Sequence, residues 1–365
     1  MNFDLSYCPN GRQTLDRLTQ LYQNRSQQIV LAKMNTPSRA LADFAAEHPA
    51  GFCSYPSPDE RIEFWDAYNK ERMDIHDDSI PTAYLSEMDQ GLYGGLLGGD
   101  VRFLCDPATG WISSMVPPIL KNWQQFDSLS FTTEHSWFRR YVSQLKIFVE
   151  KSRSRFGISH FILINGLNFV FELVGATQTY LDLDERPEMI NKALDLAYQV
   201  NLRLQKTFFE MTPLLCGGTC SNFAQWLPGK IISESIDPFH MTSVDYFEKW
   251  GRKPVEKIFS QFDGGVIHIH GNGRRLLKAA STIKGLKAIY LGDDTGFPLA
   301  FDVLPALKAA ANDVPLSCAV PFSDFCKAIK ERRLVGGVFY NVTDVPDPLS
   351  ANNCMDLVHN YRSVA

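Results

Sequence analysis

The stretch Gly265-Val266-Ile267-His268-Ile269-His270-Gly271-Asn272-Gly273 constrains the fold more than any other part of the chain. An apolar/His alternation runs into a glycine-bracketed turn, and Arg274 to Thr282 then carries Leu and Ala at helical spacing. That order is a strand, a tight turn and a helix. Side chains alternate along a strand, so His268 and His270 share one face and arrive together at its carboxyl end. Parallel α/β architectures place their chemistry at that end. Two histidines so placed have three readings: half of a metal site, acid/base or donor groups for an anionic substrate, or a hydrogen-bonded structural pair. The adjoining Gly271-Asn272-Gly273 at a helix start offers free backbone N–H groups to an anion.

The rest of the second half repeats this unit. Strands are expected at Lys230–Ser235, Val266–His270, Ala288–Leu291, Val314–Ala319 and Val338–Val342, separated by helical patterns at Ser243–Ser260, Arg274–Lys284, Phe301–Ala311 and Phe322–Arg332. A last helix is expected over Ser350–Tyr361. Earlier, Phe131–Phe156 and Arg186–Met211 have helical spacing, and His160–Gly166 is an apolar run of the kind a parallel strand buries on both sides. Ile80–Met88 is expected to be the first strand of the sheet. Residues 1–75 are polar and helical in pattern, punctuated by Pro49, Pro56 and Pro58. The expected fold class is therefore α/β: a single (β/α)8 TIM barrel over residues 76–365, with an N-terminal helical extension over residues 1–75. The glycine-rich run Gly91–Gly99 lacks a dinucleotide fingerprint and is expected to form a loop and a helix of small residues.

At 365 residues with a net charge of -5, the chain offers no global attraction to nucleic acid or anionic membrane, so any anion site must be local. Eight scattered cysteines do not form a disulfide framework, and Met1 to Asn10 do not read as a signal peptide. A cytoplasmic location is expected, with no membrane span. Cys216 and Cys220 are spaced too widely for the CxxC of thiol oxidoreductases.

In a barrel, the polar residues at the strand carboxyl ends share one mouth. These are Glu234 and Asp237, His268, His270 and Asn272, Asp293 and Asp294, Cys318, and Asn341 with Asp344, together with Glu87 near the first strand. From this set His268, His270, Glu234 and Asp293 are assigned to catalysis, and Asn272, Asp294, Glu87 and Asn341 to substrate binding. His268 and His270 are also the candidate metal half-site.

Several segments, taken in order, resemble the uroporphyrinogen decarboxylase superfamily. They are Ser233-Glu234-Ser235-Ile236, Tyr246-Phe247 followed by Pro254-Val255, His268 to Asn272, and Leu286-Lys287-Ala288-Ile289. Gly175, Tyr180-Leu181-Asp182-Leu183 and Pro187-Glu188-Met189-Ile190 precede them, and Gly336-Gly337-Val338 and Pro348 to Asn353 follow. The likeness is greatest to the corrinoid-linked methyltransferase branch and covers residues 75 to 365. It implies a deep-mouthed barrel in which zinc, held by His-x-Cys and a later Cys, binds a substrate thiol that accepts methyl from a corrinoid. His268 matches the first ligand, while His270 stands at the position of the Cys. No Cys lies between Asn341 and Asp347, where Asp344 is the nearest replacement, so the metal ligands the resemblance implies are His268, His270, Asp344 and Cys318.

The resemblance thus implies methyl transfer between a small substrate and a corrinoid, with zinc as cofactor and a corrinoid protein as partner. The alternatives are a metal-free decarboxylase of a tetrapyrrole or related carboxylic acid, and a non-catalytic corrinoid- or tetrapyrrole-binding barrel. The decarboxylase's arginine-rich segment has no counterpart here, since no Arg cluster occurs between Thr82 and Asp100. Related barrels often pair, and the N-terminal helices are the candidate surface for a homodimer.

Overall fold

The structure is a computed structural model, described over residues 5–363. Within these residues the chain forms thirteen strands. They are β1 (Val30–Met34), β2 (Gly51–Cys53), β3 (Thr82–Tyr84), β4 (Arg102–Asp106), β5 (Trp111–Met115), β6 (Gly157–Ser159), β7 (Gly218–Ser221), β8 (Gln225–Pro228), β9 (Ile232–Ser235), β10 (Gly265–Ile269), β11 (Leu286–Leu291), β12 (Leu316–Pro321) and β13 (Val338–Thr343).

Six of them make a wholly parallel sheet in the order β1-β13-β12-β11-β10-β9. All five residues of β10 are buried, as the continuous apolar run predicts for a parallel strand covered on both faces. A second sheet, β3-β6-β7-β8, contains the parallel pair β3–β6 and the antiparallel hairpin β7–β8. An isolated parallel bridge, Leu163 to Glu234, links the segment after β6 to β9. On the other side, the edge of β1 is satisfied by the loop before β3. Asp78 N–H donates to Ala32 O at 2.9 Å, and the Ala32 and Met34 N–H groups donate to the Asp78 and Asp77 carboxylates at 3.0 and 2.8 Å. The fold is thus mixed α/β with a parallel six-stranded sheet and many helices.

β1 overturns the expectation that residues 1–75 are all helical. Val30 to Met34 is a short apolar run between helices Gly11–Tyr22 and Arg39–Glu47, and it is drawn into the sheet by pairing with β13, where Lys33 sits opposite Asn341. The first strand, expected over Ile80–Met88, shortens to Thr82–Tyr84 and is accordingly β3.

Most helices fall where their spacing places them. Helix Pro187–Met211 begins on proline, whose fixed φ suits the first turn, and buries Ile190, Ala193, Ala197, Val200, Leu204 and Phe208 along one stripe. The expected helix 243–260 is instead interrupted by a π-turn over Phe247–Gly251. Gly251 there lies so close to Phe239 that an added Cβ would be 2.7 Å from its ring, so the turn seats the helix against that aromatic. The helix expected over 274–284 shortens to a 3-10 turn, Gly271–Leu276, and one α-turn, Leu277–Ala280.

One element has no precursor in the sequence pattern. β4 and β5 form an antiparallel hairpin that pairs with β2 and carries its own apolar cluster of Phe44, Phe103, Cys105 and Ile112. Among the described residues no helix is long and apolar enough to cross a membrane.

Candidate functional site

Parallel pairing sets the geometry of the site. Ser235 at the end of β9 is opposite His268 on β10, so the residues just past β9 are carried to the same end as the two histidines. There the chain turns into a 3-10 helix, Asp237–Met241, which brings Asp237 and His240 back over the strand ends. His268 and His270 lie together, with ring centroids 4.9 Å apart, as their i, i+2 spacing requires.

The third member of the cluster is Asp237. Its Oδ1 lies 2.7 Å from His268 Nε2, 3.9 Å from His270 Nε2 and 3.5 Å from His240 Nδ1. Donor atoms of Asp237, His268 and His270 all fall within 4.8 Å of one another, the spacing a single metal ion needs. Asp344 and Cys318 are not among the converging donors. Asp344 is exposed, at φ 57°, and accepts from Thr343 Oγ1 at 2.9 Å. Cys318 is fully buried in β12, where burial pushes its thiol far above the usual range.

Burial favours neutral imidazole at His240 and lowers its pKa to about 4, although the Asp237 carboxylate opposes this. Burial acts on Asp237 in the upward sense but is outweighed by the hydrogen bond from His268 and the surrounding imidazoles, which hold the carboxyl at about 2. At neutral pH, then, an ionised carboxylate faces an uncharged His240, and both are in the protonation state a metal requires of a ligand. His268 Nδ1 and His240 Nε2 are buried and find no hydrogen-bond partner among the described residues.

The Asp294 carboxylate fixes His270, accepting from Nδ1 at 2.9 Å and from the Asn272 backbone N–H at 3.3 Å. The backbone N–H groups of Gly271-Asn272-Gly273, expected to bind a substrate anion, are thus directed in part to a carboxylate of the chain itself. Partial burial works against ionisation of Asp294, but His270 and these N–H groups prevail and its pKa is lowered. Gly273 has a different role from the one expected. An added Cβ would lie 2.1 Å from the His240 ring, so glycine permits the two turns to touch.

Of the other assigned residues, Asp293 accepts from Arg274 Nη2 at 2.9 Å and from Ala300 N–H at 2.6 Å, which ties down the loop after β11. Glu234 is buried within β9, bonded by Asn165, and burial drives its pKa well up. Glu87 is sealed from solvent between Arg61 at 3.3 Å, Ser86 and Gln144, so it is a buried ion-pair partner with no surface to offer a substrate. Asn341 donates to Ser317 Oγ at 3.2 Å and lines the mouth. Asn272 carries its backbone N–H to Asp294 and its amide toward Met241 Sδ at 3.8 Å.

A cavity of about 560 Å³ opens over the cluster, walled by Asp89, Trp111, Phe161, Asp237, His268 and His270. Asp89 caps the helix Gln90–Gly95 and accepts from Gln90 and Ser114 N–H, both at 2.7 Å. Burial nevertheless raises its pKa to about 7. A second lobe of about 330 Å³ shares Thr109 and Trp111 with the first, both from the β4–β5 hairpin region. A separate cavity of about 370 Å³, between helices Pro187–Met211 and Arg252–Phe259, is lined by Lys249, Lys253 and Lys257 and holds no converging ligand set. Among the described residues only the histidine cavity joins convergent donors, a titrating acid and strand carboxyl ends.

No protein-family model matches the chain, and no curated protein matches it at a significant level. A solved structure does. A methyltransferase from Methanosarcina mazei superposes with a TM-score of 0.61 over 94% of this chain and 97% of its own, at 12% sequence identity. The likeness at that identity is one of fold, and it spans nearly the whole of both chains.

Proposed function

We propose that this protein is a (β/α)8 barrel enzyme that moves a methyl group between a small substrate and a corrinoid, assisted by zinc held by Asp237, His268 and His270. The observation that carries the reading is the convergence of these three donors at the strand carboxyl ends, beneath a walled cavity. Barrel closure is supported by eight strands of one sense, β1, β3, β6 and β9 to β13, joined by the Leu163–Glu234 bridge and by the Asp78–Ala32 bond. The fold-level likeness to a methyltransferase supports the reaction class.

The residues fit the metal. Two imidazoles and one carboxylate are a known catalytic zinc set that leaves a position open, and the unpartnered His268 Nδ1 and the half-exposed His270 allow the small ring shifts that insertion needs. When bound, zinc supplies Lewis acidity, which lowers the pKa of a thiol or polarises an ether oxygen. The chain does the rest. Asp294 fixes the His270 tautomer so that Nε2 keeps its lone pair toward the cavity. Phe223 packs on His268 at 5.1 Å between centroids and holds its ring angle. Phe161, Ile162 and Ile164 dry the wall opposite Trp111. Asp89, titrating near neutrality, can hold or release one proton at its carboxyl.

Decarboxylation of a polycarboxylate is less well supported. The histidine cavity is lined by Asp89, Asp106 and Asp237 and by no arginine or lysine, so a substrate bearing several carboxylates would meet like charge.

Elemental analysis of protein purified without chelator or His tag, paired with methyl exchange against free methylcobalamin, tests the proposal. We expect about one zinc per chain, lost in His268→Ala/His270→Ala, and methyl exchange that falls with it. Absence of metal from the wild type even after zinc is supplied would falsify the metal-assisted reading.

A further inference from the structure

The second lobe has a composition unlike the first. Trp65, Tyr68, Tyr84, Trp111, Phe223 and Tyr290 line it, and the one charged residue on its wall is Lys33. The rings form two groups: Trp65 to Tyr84 is 5.0 Å between centroids and Tyr84 to Trp111 is 5.5 Å, while Phe223 stacks on Tyr290 at 5.5 Å and 7°. Phe223 also abuts His268, so the second group runs up to the donor cluster. Lys33 is half-buried at the end of β1 and has no ion-pair partner among the described residues. A carboxylate from a ligand would give Lys33 the counter-ion it lacks.

We propose that this lobe binds a planar aromatic carboxylate, with its acid group on Lys33, its ring against the aromatic wall and its far end presented to the histidine cavity. Lys33 and His268 stand four strands apart in the sheet order, on β1 and β10. A ligand anchored at Lys33 therefore reaches the cluster only by lying across the lobe. Offset stacking and edge contacts favour a flat ring over an aliphatic one of similar bulk. The lysine argues against the other guest an aromatic box accepts, an organic cation, because like charge would face it. This assignment names the substrate class for the reading above and rests on it, but the binding itself is testable alone.

The probe is 4-methoxybenzoate, titrated against the intrinsic fluorescence of the chelator-treated and the zinc-loaded protein, since Trp65 and Trp111 both line the lobe. We expect saturable quenching in both forms, weakened about tenfold or more in Lys33→Gln and largely restored in Lys33→Arg. 4-Methoxybenzyl alcohol and cyclohexanecarboxylate should bind about tenfold more weakly, the first for want of charge and the second for want of a ring. Affinity should stay within about threefold in Lys253→Gln, which lines the separate cavity between helices. Equal affinity in Lys33→Gln with an unchanged melting temperature, or tighter binding of phenyltrimethylammonium, overturns the inference. Lysine-dependent binding in a protein that takes no zinc and exchanges no methyl group would leave the lobe assignment standing while the metal-assisted reading fails.

Discussion

Asp237 Oδ1 lies 2.7 Å from His268 Nε2, yet the two residues are 31 positions apart and meet because β9 and β10 run parallel in register. One carboxylate oxygen is thereby set among three imidazoles, those of His240, His268 and His270. With His240 uncharged at neutral pH, it does not offset the negative charge of Asp237. The cluster is built to hold positive charge at one point.

Asp294 is the lever on that point without being a ligand. Asp294→Asn should leave folding intact while lowering zinc affinity about 10–100-fold, because His270 loses the partner that fixes its tautomer. Competition with a zinc-binding dye measures this, and a change of less than twofold would remove the residue from that role.

Arg61 and Glu87 are both sealed from solvent, 3.3 Å apart. Removing one partner leaves the other charge buried and bare, so Arg61→Met should cost about 3–5 kcal/mol in urea unfolding. Arg61→Met/Glu87→Leu should recover much of the loss. If the double variant is as unstable as the single one, packing, and not charge, accounts for the site.

His160 bonds Tyr141 Oη and Phe161 O, both at 2.9 Å, and burial lowers its pKa to about 3. The unfolded chain takes up this proton near pH 6.5, earlier than the folded one. The stability His160 contributes is thus fully present above about pH 6.5 and is lost progressively as pH falls toward 3, by up to ~1.4 kcal/mol per pH unit. Melting temperature measured from pH 7 to pH 4 should fall less steeply in His160→Gln than in the wild type; parallel curves would refute the assignment.

Gly273→Ala places a methyl group into the His240 ring. Overpacking of this kind costs about 1–3 kcal/mol, and the shift of the Asp237–Met241 turn should weaken zinc binding as well. The same substitution at Gly98, where an added Cβ meets nothing, should leave the metal untouched. Equal metal content in Gly273→Ala would mean that the turn yields without moving Asp237.

The sequence made the later strands legible because parallel strands buried on both faces are written as unbroken apolar runs, and β9 to β13 each fall within a few residues of such a run. His268 and His270 were legible from alternation alone. Asp237 was visible as a strand-end acid, but its partnership was not, since it depends on the register of β9 against β10 and on the turn that follows. His240 left no local signal at all. Glu87 and Cys318 went the other way: each has the right chemistry at a strand end, and only packing reveals that Arg61 has claimed the first and the core the second. β1 is hard to read because Val30-Leu31-Ala32, followed by Lys33, is a short apolar run among helices that looks like a helix flank until β13 pairs with it.

The β4–β5 hairpin reaches over both lobes through Thr109 and Trp111, yet it is paired only with β2 and carries its own small apolar cluster. Part of the wall of each lobe is therefore carried on a piece of chain separate from the strands that hold the histidines. Substitutions at Trp111 can thus reshape both lobes at once without touching the parallel strands that hold the histidines.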